Sequence, residues 1–297
     1  MIRRDFIKSV SLTAMAMPLT GRKEKKKGLV ILHTNDQHSR IDPFPANHPK
    51  YPGMGGFAKR AAYIDAIRKE GKEVLLLDAG DVFQGTPYFN FYGGELEFRL
   101  MSMMGYDAMT LGNHDLDNGV DGLLKQLPHA RFDIINSNYA ITHERLSKRI
   151  KPWKIYHRGG MKIGVYGIGV ELEGLVHPQN CDGLQYMDPE KSALEMESIL
   201  KNKDCDLIIC LSHLGHSYDS RKMSDLRLAK SLKCTDLIVG GHTHTFLDSP
   251  VKIVNSSGKN TLISQAGWAG IQLGRIDFEY HVDKDRIEAS FGNIKIS

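Results

Sequence analysis

Two histidines stand one residue apart in the sequence GGHTHT, directly after an apolar run, DLIVGG, that is typical of a buried strand. They are His242 and His244. Imidazole is a common metal ligand and proton carrier near neutral pH. Because a single histidine at a strand end is also ordinary structure, the pair indicates a functional loop only if other polar groups join it.

Four other apolar runs end in the same way, with acidic, amide or imidazole side chains just after the run: TNDQHS, DAGDVFQG, LGNHDLDNG and LSHLGH. Ligands gather at strand ends because loops there carry polar groups on a rigid sheet. The candidate residues are therefore Asp36, His38, Asp78, Asp81, Asn113, His114, Asp115, Asp117, His213, His216, His242 and His244.

This set of side chains indicates a site for divalent cations. Several carboxylates brought together repel one another unless cations lie among them. Mixed oxygen and imidazole ligands without a thiolate suit manganese, zinc, iron or cobalt. The remaining histidines, among them His33, lie outside the series and are interpreted as structural.

The elements that must position these residues alternate along the chain. Strand-like runs are followed by polar loops and by segments with helical spacing, such as 55–70 and 189–202, which predicts an α/β protein with largely parallel sheet. After residue 250 the chain turns to β-rich stretches, with a turn at Asp283 and Lys284. No linker or repeat interrupts the pattern, so we expect one domain with helices outside two packed sheets.

The ordered series DxH, GD, GNHD, H and GHxH resembles the calcineurin-like metallophosphoesterase superfamily. Within it, HTNDQHS, GDVFQG and GNHDLDNG are similar to the catalytic domain of the bacterial 5′-nucleotidase family, over residues 28–280. The resemblance implies an α/β fold that is a four-layer sandwich of two mixed β-sheets flanked by helices. It also implies a catalytic domain over 28–297.

The resemblance further implies two divalent metal ions with four ligands each: Asp36, His38, Asp81 and His244 for one, and Asp81, Asn113, His213 and His242 for the other. Asp81 would bridge them, since a shared anion reduces the repulsion between two cations. His242 and His244 are expected to point the same way from an extended segment, so that one loop serves both metals.

Three residues receive catalytic roles by the same resemblance. Asn113 would orient the phosphate as well as bind metal, His114 would protonate the leaving group, and Asp117 would fix the tautomer of His114. Asp115 and Asp78 are interpreted as structural. His216, three residues after a predicted ligand, is expected to touch phosphate or to hold its loop.

The positive charge of the chain lies at its start. The formal net charge is +4, but residues 1–27 hold eight basic and two acidic residues, so the rest is mildly acidic. Because residues 28–297 have no continuous cluster of basic side chains, we do not expect binding to polymeric nucleic acid. RRDFIKSVSLTAMAMPLTG resembles a twin-arginine export signal, so residues 1–27 are interpreted as an export signal followed by a basic linker. The protein is therefore expected to be exported to the periplasm and to have no stable membrane span after the signal is cleaved.

The sequence thus predicts an exported two-metal phosphoester hydrolase that releases phosphate from nucleotides. Alternatives on the same scaffold are cleavage of cyclic phosphodiesters, sugar nucleotides or a thiosulfate ester, and a non-catalytic metal-binding module. The nucleotidases that it resembles continue into a domain that binds the base, whereas this sequence stops at Ser297. A separate chain is therefore expected to supply nucleoside recognition, unless the substrate is not a nucleotide. The aromatics of PYFNFYGG, residues 87–94, lie near the site or pack in the core.

Overall fold

A computed structural model describes residues 26–281 and 286–297. Its strands, in chain order, are β1 Lys26–Thr34, β2 Glu73–Asp78, β3 Ala108–Met109, β4 Asp133–Ile135, β5 Tyr139–Ile141, β6 Ile150–Lys151, β7 Trp153–Arg158, β8 Met161–Ile168, β9 Leu184–Tyr186, β10 Leu207–Ser212, β11 Leu237–Gly240, β12 Val251–Val254, β13 Asn260–Ser264, β14 Gln272–His281, β15 Arg286–Phe291 and β16 Ile294–Lys295. Its helices are α1 Phe57–Arg68, α2 Pro87–Tyr92, α3 Glu95–Met104, α4 Gly119–Gln126, α5 Glu144–Ser147, α6 Pro189–Lys201 and α7 Asp225–Ser231.

Two mixed sheets form the centre of the molecule. The first has the order β15-β14-β1-β2-β3-β4-β6, with β16 paired to β14, and the second has the order β12-β13-β11-β10-β8-β7. Strands β1 to β4 and β6 run parallel, as do β8, β10, β11 and β13, whereas β14 joins β1 antiparallel. A short ribbon of β5 and β9 lies beside them.

Side-chain alternation along the central strands separates the layers. In β1, Leu29 and Ile31 face the second sheet, while Val30 and Leu32 face a core shared with α1, α3 and α4. The outer face of the second sheet packs on α6 and α7. The molecule therefore has four layers, helices, sheet, sheet and helices, and the predicted fold class is confirmed.

A fully buried histidine makes a polar contact across the interface between the sheets. His33 in β1 is fully buried, and its Nε2 lies 2.9 Å from Ser264 Oγ in β13. A Cβ on the neighbouring Gly274 would overlap the same nitrogen, so the ring fills the space that the glycine leaves. His33 is structural, as the sequence predicts.

Two sequence-based predictions lie outside the described residues. They are the export signal, apart from its last two residues, and the turn at Asp283 and Lys284. Within 26–281 and 286–297, no helix has the length and apolarity needed to cross a membrane.

Candidate active site

The loops that follow β1, β2, β3, β10 and β11 meet at one edge of the two sheets. They bring together two groups of side chains whose potential ligand atoms lie within 4.8 Å of one another: Asp36, His38 and His244, and Asp81, His213 and His242. These residues come from separate places in the chain. The structure thus gathers six of the seven predicted metal ligands into two adjacent clusters, and Asn113 lies in the same cavity.

In the first cluster, Nε2 of His38 lies 2.9 Å from Nε2 of His244. Two imidazole nitrogens at this distance share either a proton or a cation. Oδ1 of the fully buried Asp36 lies 3.4 Å from His244 Nε2 and 4.0 Å from Nε2 of both His38 and His213. Asp36 therefore lies close to both clusters.

In the second cluster, Nε2 of the fully buried His213 lies 3.0 Å from Oδ2 of Asp81. Burial opposes charge on both groups, but the Asp81 carboxylate raises the pKa of His213 to about 10. Burial likewise raises the pKa of Asp81, yet the facing His213 outweighs it and holds that pKa below its usual value. The Nδ1 of His213 lies 2.6 Å from Ala79 O, which directs Nε2 into the cluster, as in metal-binding histidines.

Burial lowers the pKa of His242 to about 4 and also lowers the pKa of His38. Both imidazoles are thus held in the neutral form, which is the form that binds metal.

The backbone at the clusters is strained. Asp36, His38, Asp81, His242 and His244 all have positive φ, between 47° and 73°, which non-glycine residues rarely adopt. Such strain collects at functional sites because the surrounding contacts enforce it. The predicted extended segment at His242 and His244 is wrong, because both residues have positive φ. Their rings nevertheless join different clusters, so a single loop contributes to both.

Close approach explains one glycine of the GNHD motif. A Cβ on Gly112 would overlap Asp81 Oδ1 and lie 2.5 Å from Asp81 N. The loop after β3 can therefore approach the Asp81 carboxylate only with glycine at this position.

The predicted catalytic residues lie beside the clusters. Nδ1 of His114 lies 3.0 Å from Oδ2 of Asp117, and its ring centroid is 5.4 Å from that of His38. The hydrogen bond to Asp117 raises the pKa of His114 and leaves Nε2 free of that contact. Asn113 is 4% exposed, and its Oδ1 has no hydrogen-bond partner among the described residues.

Two further acids hold the ligand loops. The Asp115 carboxylate accepts hydrogen bonds from backbone N–H groups of Asp81, Val82, Phe83 and Gly112. The Asp78 carboxylate accepts from Thr34, Gln37 and Gly80. These contacts agree with the structural roles predicted for both residues.

His216 lies at the edge of the site. Its backbone N–H donates to Thr243 Oγ1, between the two histidines of the GHTHT loop, and its buried Nδ1 has no partner among the described residues. It holds the loop through its backbone, while contact of its ring with phosphate stays a prediction.

Sequence reasoning missed two residues that support the histidine loop. Gln265 accepts a hydrogen bond from Thr245 N (2.6 Å) and donates to Gly241 O. Trp268 stacks on His244 with a centroid distance of 5.6 Å and an angle of 8°. Both follow β13, so a sixth polar strand end, SQAGW, is the signal that would have indicated them.

The clusters open into a cavity of about 400 Å³, lined by His38, Arg40, Asp81, Gln84, Gly85, Asn113, His114, Leu175, His242, His244 and Trp268. Arg40 is the one guanidinium or ammonium group in this lining. Acidic, imidazole and cationic groups around one open cavity suit an anionic ligand held through cations.

The residues fit a pair of divalent cations. Asn113 Oδ1 is a buried polar atom without a hydrogen-bond partner among the described residues. Each cluster offers carboxylate oxygen and imidazole nitrogen and no thiolate, a set that manganese, zinc, iron and cobalt accept. A cation in each cluster would also relieve the repulsion between Asp36 and Asp81.

Two packed mixed sheets that carry two adjacent clusters of carboxylate and imidazole side chains indicate a metal-dependent hydrolase. The family model for calcineurin-like phosphoesterases matches residues 29–246, and the chain belongs to that family. The family uses a dinuclear divalent-metal centre, and the two clusters are candidate ligand groups for such a centre.

Within the family, the chain is similar to 5′-nucleotidases. It is 35% identical over 286 residues to a snake venom 5′-nucleotidase of Crotalus adamanteus, covering 89% of this chain and 47% of that protein. It is 34% identical to a 5′-nucleotidase of Vibrio cholerae, covering 86% and 50%. A 5′-nucleotidase precursor from Thermus thermophilus superposes with a TM-score of 0.82 at 32% identity, over 90% of this chain and 54% of that one. The chain thus spans about half the length of these relatives.

Proposed function

We propose that this chain is a two-metal hydrolase that releases phosphate from nucleoside 5′-phosphates, with 28–297 as its catalytic unit. The observation that carries the proposal is the convergence of two ligand clusters with the His114–Asp117 pair in one cavity. The similarity to proteins named 5′-nucleotidases supports the choice of substrate.

The proposal assigns Asp36, His38, Asp81 and His244 to one cation, and Asp81, Asn113, His213 and His242 to the other. When bound, two divalent cations supply Lewis acidity towards the phosphoryl oxygens and a nucleophile at neutral pH. Asn113 orients the phosphoryl group through its side-chain amide.

His114 donates its proton to the leaving oxygen. Asp117 holds Nδ1, which fixes the orientation of the ring and keeps Nε2 available for the transfer. Neither His114 nor Asp117 belongs to a ligand cluster, so their pairing beside the cavity favours catalysis over a purely metal-binding module.

A substrate panel with added manganese tests the activity: nucleoside monophosphates, cyclic nucleotides, sugar nucleotides and thiosulfate. We expect nucleoside monophosphates to have the highest kcat/KM. The His114→Ala variant is expected to lose about 100-fold or more in kcat, the range of general acid catalysis, with unchanged metal content. Equal absence of turnover in the wild type and the variant would favour the binding module.

We also propose that the protein is exported, on the strength of the paired Arg3 and Arg4 in residues 1–27. A reporter fused to 1–27 is expected to leave the cytoplasm, and the same fusion with Arg3→Lys and Arg4→Lys is expected to remain inside. Export that is insensitive to both substitutions would contradict a twin-arginine signal.

We further propose that a separate chain supplies nucleoside recognition, since the relatives are about twice as long as their matched region. Co-purification from the source organism tests it. Full nucleotidase activity of the isolated chain, together with no co-purified partner, would refute it.

A further inference from the structure

The loop that follows β1, residues 35–39, alternates candidate metal ligands with buried polar residues; we call it the β1 loop. Asp36 and His38 belong to the first cluster, whereas Gln37 and Ser39 are fully buried and contact α1 and α3. Asp36, His38 and Ser39 have positive φ values of 48°, 47° and 53°. Such a conformation persists only where surrounding contacts enforce it, so the contacts of Gln37 and Ser39 bear on where the two ligands lie.

The first of these contacts is with a buried arginine. Arg60 in α1 is 1% exposed, and its Nη2 donates a hydrogen bond to Gln37 Oε1. Gln37 Nε2 in turn donates to Asp78 Oδ2 at 2.8 Å. The amide of Gln37 therefore links a buried guanidinium to a buried carboxylate, and it does so from a position between the two ligands in the sequence.

The second contact is with a buried acid. Glu97 in α3 is fully buried, and its Oε1 accepts a hydrogen bond from Ser39 Oγ. Its Oε2 has no hydrogen-bond partner among the described residues, and burial raises the pKa of the carboxyl group. Since burial of an acid with unsatisfied oxygens costs stability, Glu97 contributes position rather than stability.

The opposite side of the β1 loop is held by the backbone. The N–H groups of Asp36 and His38 donate to Gly80 O and Asp81 O, at 2.8 and 3.0 Å. These hydrogen bonds tie the β1 loop to the loop that carries Asp81, while the two helix contacts hold its other side. The ligands of the first cluster are thus fixed from both sides.

We propose that Arg60 and Glu97 are positioning residues for the metal centre. Acting through Gln37 and Ser39, they hold the β1 loop in its left-handed conformation and thereby raise the affinity of the first cluster for a divalent cation. This inference rests on the proposed two-metal site and gives a role to two residues outside the candidate ligands.

Titration of the full chain with manganese measures this affinity. Trp268 stacks on His244 of the first cluster, and Trp153→Phe leaves Trp268 as the single tryptophan, so quenching of its fluorescence reports binding there. In this Trp153→Phe background, Gln37→Met removes both hydrogen bonds of the amide without a change of charge. We expect it to raise the Kd for manganese about tenfold or more, as loss of groups that orient metal ligands does.

A double variant separates position from stability. Ser39→Ala with Glu97→Met removes both hydrogen-bonding partners at once, so Tm is expected to stay near that of the background while the Kd again rises about tenfold or more. Tyr166→Phe is the matched control, since it removes a fully buried hydrogen bond to Thr235 Oγ1 (2.9 Å) on the outer face of the second sheet. We expect the control to lower Tm and to keep the Kd. The double variant decides the question alone if Gln37→Met does not fold.

Hydrolysis of nucleoside monophosphates, assayed beside the titration, separates this inference from the proposed function. If the background binds manganese and hydrolyses the substrates while the double variant keeps its Kd, the inference falls and the proposed function stands. The inference also falls if Tyr166→Phe raises the Kd as much as the double variant does. If the Kd differences are as expected but no substrate is hydrolysed, the proposed function falls and the inference stands. If the background binds no manganese, both fall.

Discussion

Acidification is expected to destabilise the protein through His33. Burial between the two sheets lowers the pKa of this imidazole to about 4, against about 6.5 in an unfolded chain. Below pH 6.5 the unfolded chain therefore binds a proton that the folded chain does not, and the free energy of unfolding decreases as the pH falls towards 4. Since one pKa unit corresponds to about 1.4 kcal/mol, the loss approaches about 3 kcal/mol at about pH 4.

Urea unfolding of the metal-free protein between about pH 7.5 and about pH 4 measures this loss. His33→Gln removes the titrating group, so the variant should lose less stability over that interval than the wild type, whatever its stability at the upper end. His157→Gln is the control, because His157 is exposed on β7. A pH dependence of unfolding that is identical in the wild type and in His33→Gln would refute the reasoning.

Three more predictions concern the metal clusters. Titration with manganese is expected to quench the fluorescence of Trp268, which stacks on His244, and therefore to quench the Trp153→Phe variant but not the Trp268→Phe variant. An equal response in both variants would contradict this expectation. Gly112→Ala is expected to reduce bound metal measured by mass spectrometry, because its Cβ would meet Asp81 Oδ1, while Gly292→Ala, where a Cβ meets nothing within 4 Å, is expected to keep it. Excess EDTA is expected to lower Tm by several degrees, because a cation at about one hundred times its Kd adds about 2.7 kcal/mol of stability per site. An unchanged Tm would indicate that the folded protein binds no cation.

The apolar runs predicted the strands that carry the site, β1, β2, β3, β10 and β11, because burial on both faces leaves a continuous hydrophobic signal. They did not indicate β5, β6, β7 and β9. Helical spacing likewise predicted α1 and α6. The pairing of β14 with β1 was not predictable, since it joins the two ends of the described chain and leaves no local pattern. The aromatic stretch 87–94 carried no periodic signal for α2, because that short helix buries Phe89 but exposes Phe91 and Tyr92.

Part of the candidate site could likewise be predicted from the sequence, and part could not. Residue types at strand ends indicated the ligands, because metal chemistry restricts which side chains are useful. The left-handed backbone of His242 and His244 could not be predicted, because histidine rarely adopts it and the surrounding contacts in the folded chain enforce it. Trp268 could not be predicted either, because its role depends on stacking with His244, which lies beside it only in the folded chain.

Two acidic residues of the clusters are each held by the backbone of another ligand's loop. His242 N donates to both oxygens of Asp36, at 3.0 and 2.9 Å, and His114 N donates to Asp81 Oδ1 at 2.8 Å. The GHTHT and GNHD loops therefore orient the carboxylates as well as carrying side chains of their own. Since these hydrogen bonds come from the protein backbone, the fold itself organises the clusters, and metal binding has little ordering cost left to offset. His242, one of these two donors, has positive φ, so its contact with Asp36 accompanies a backbone conformation that non-glycine residues rarely adopt.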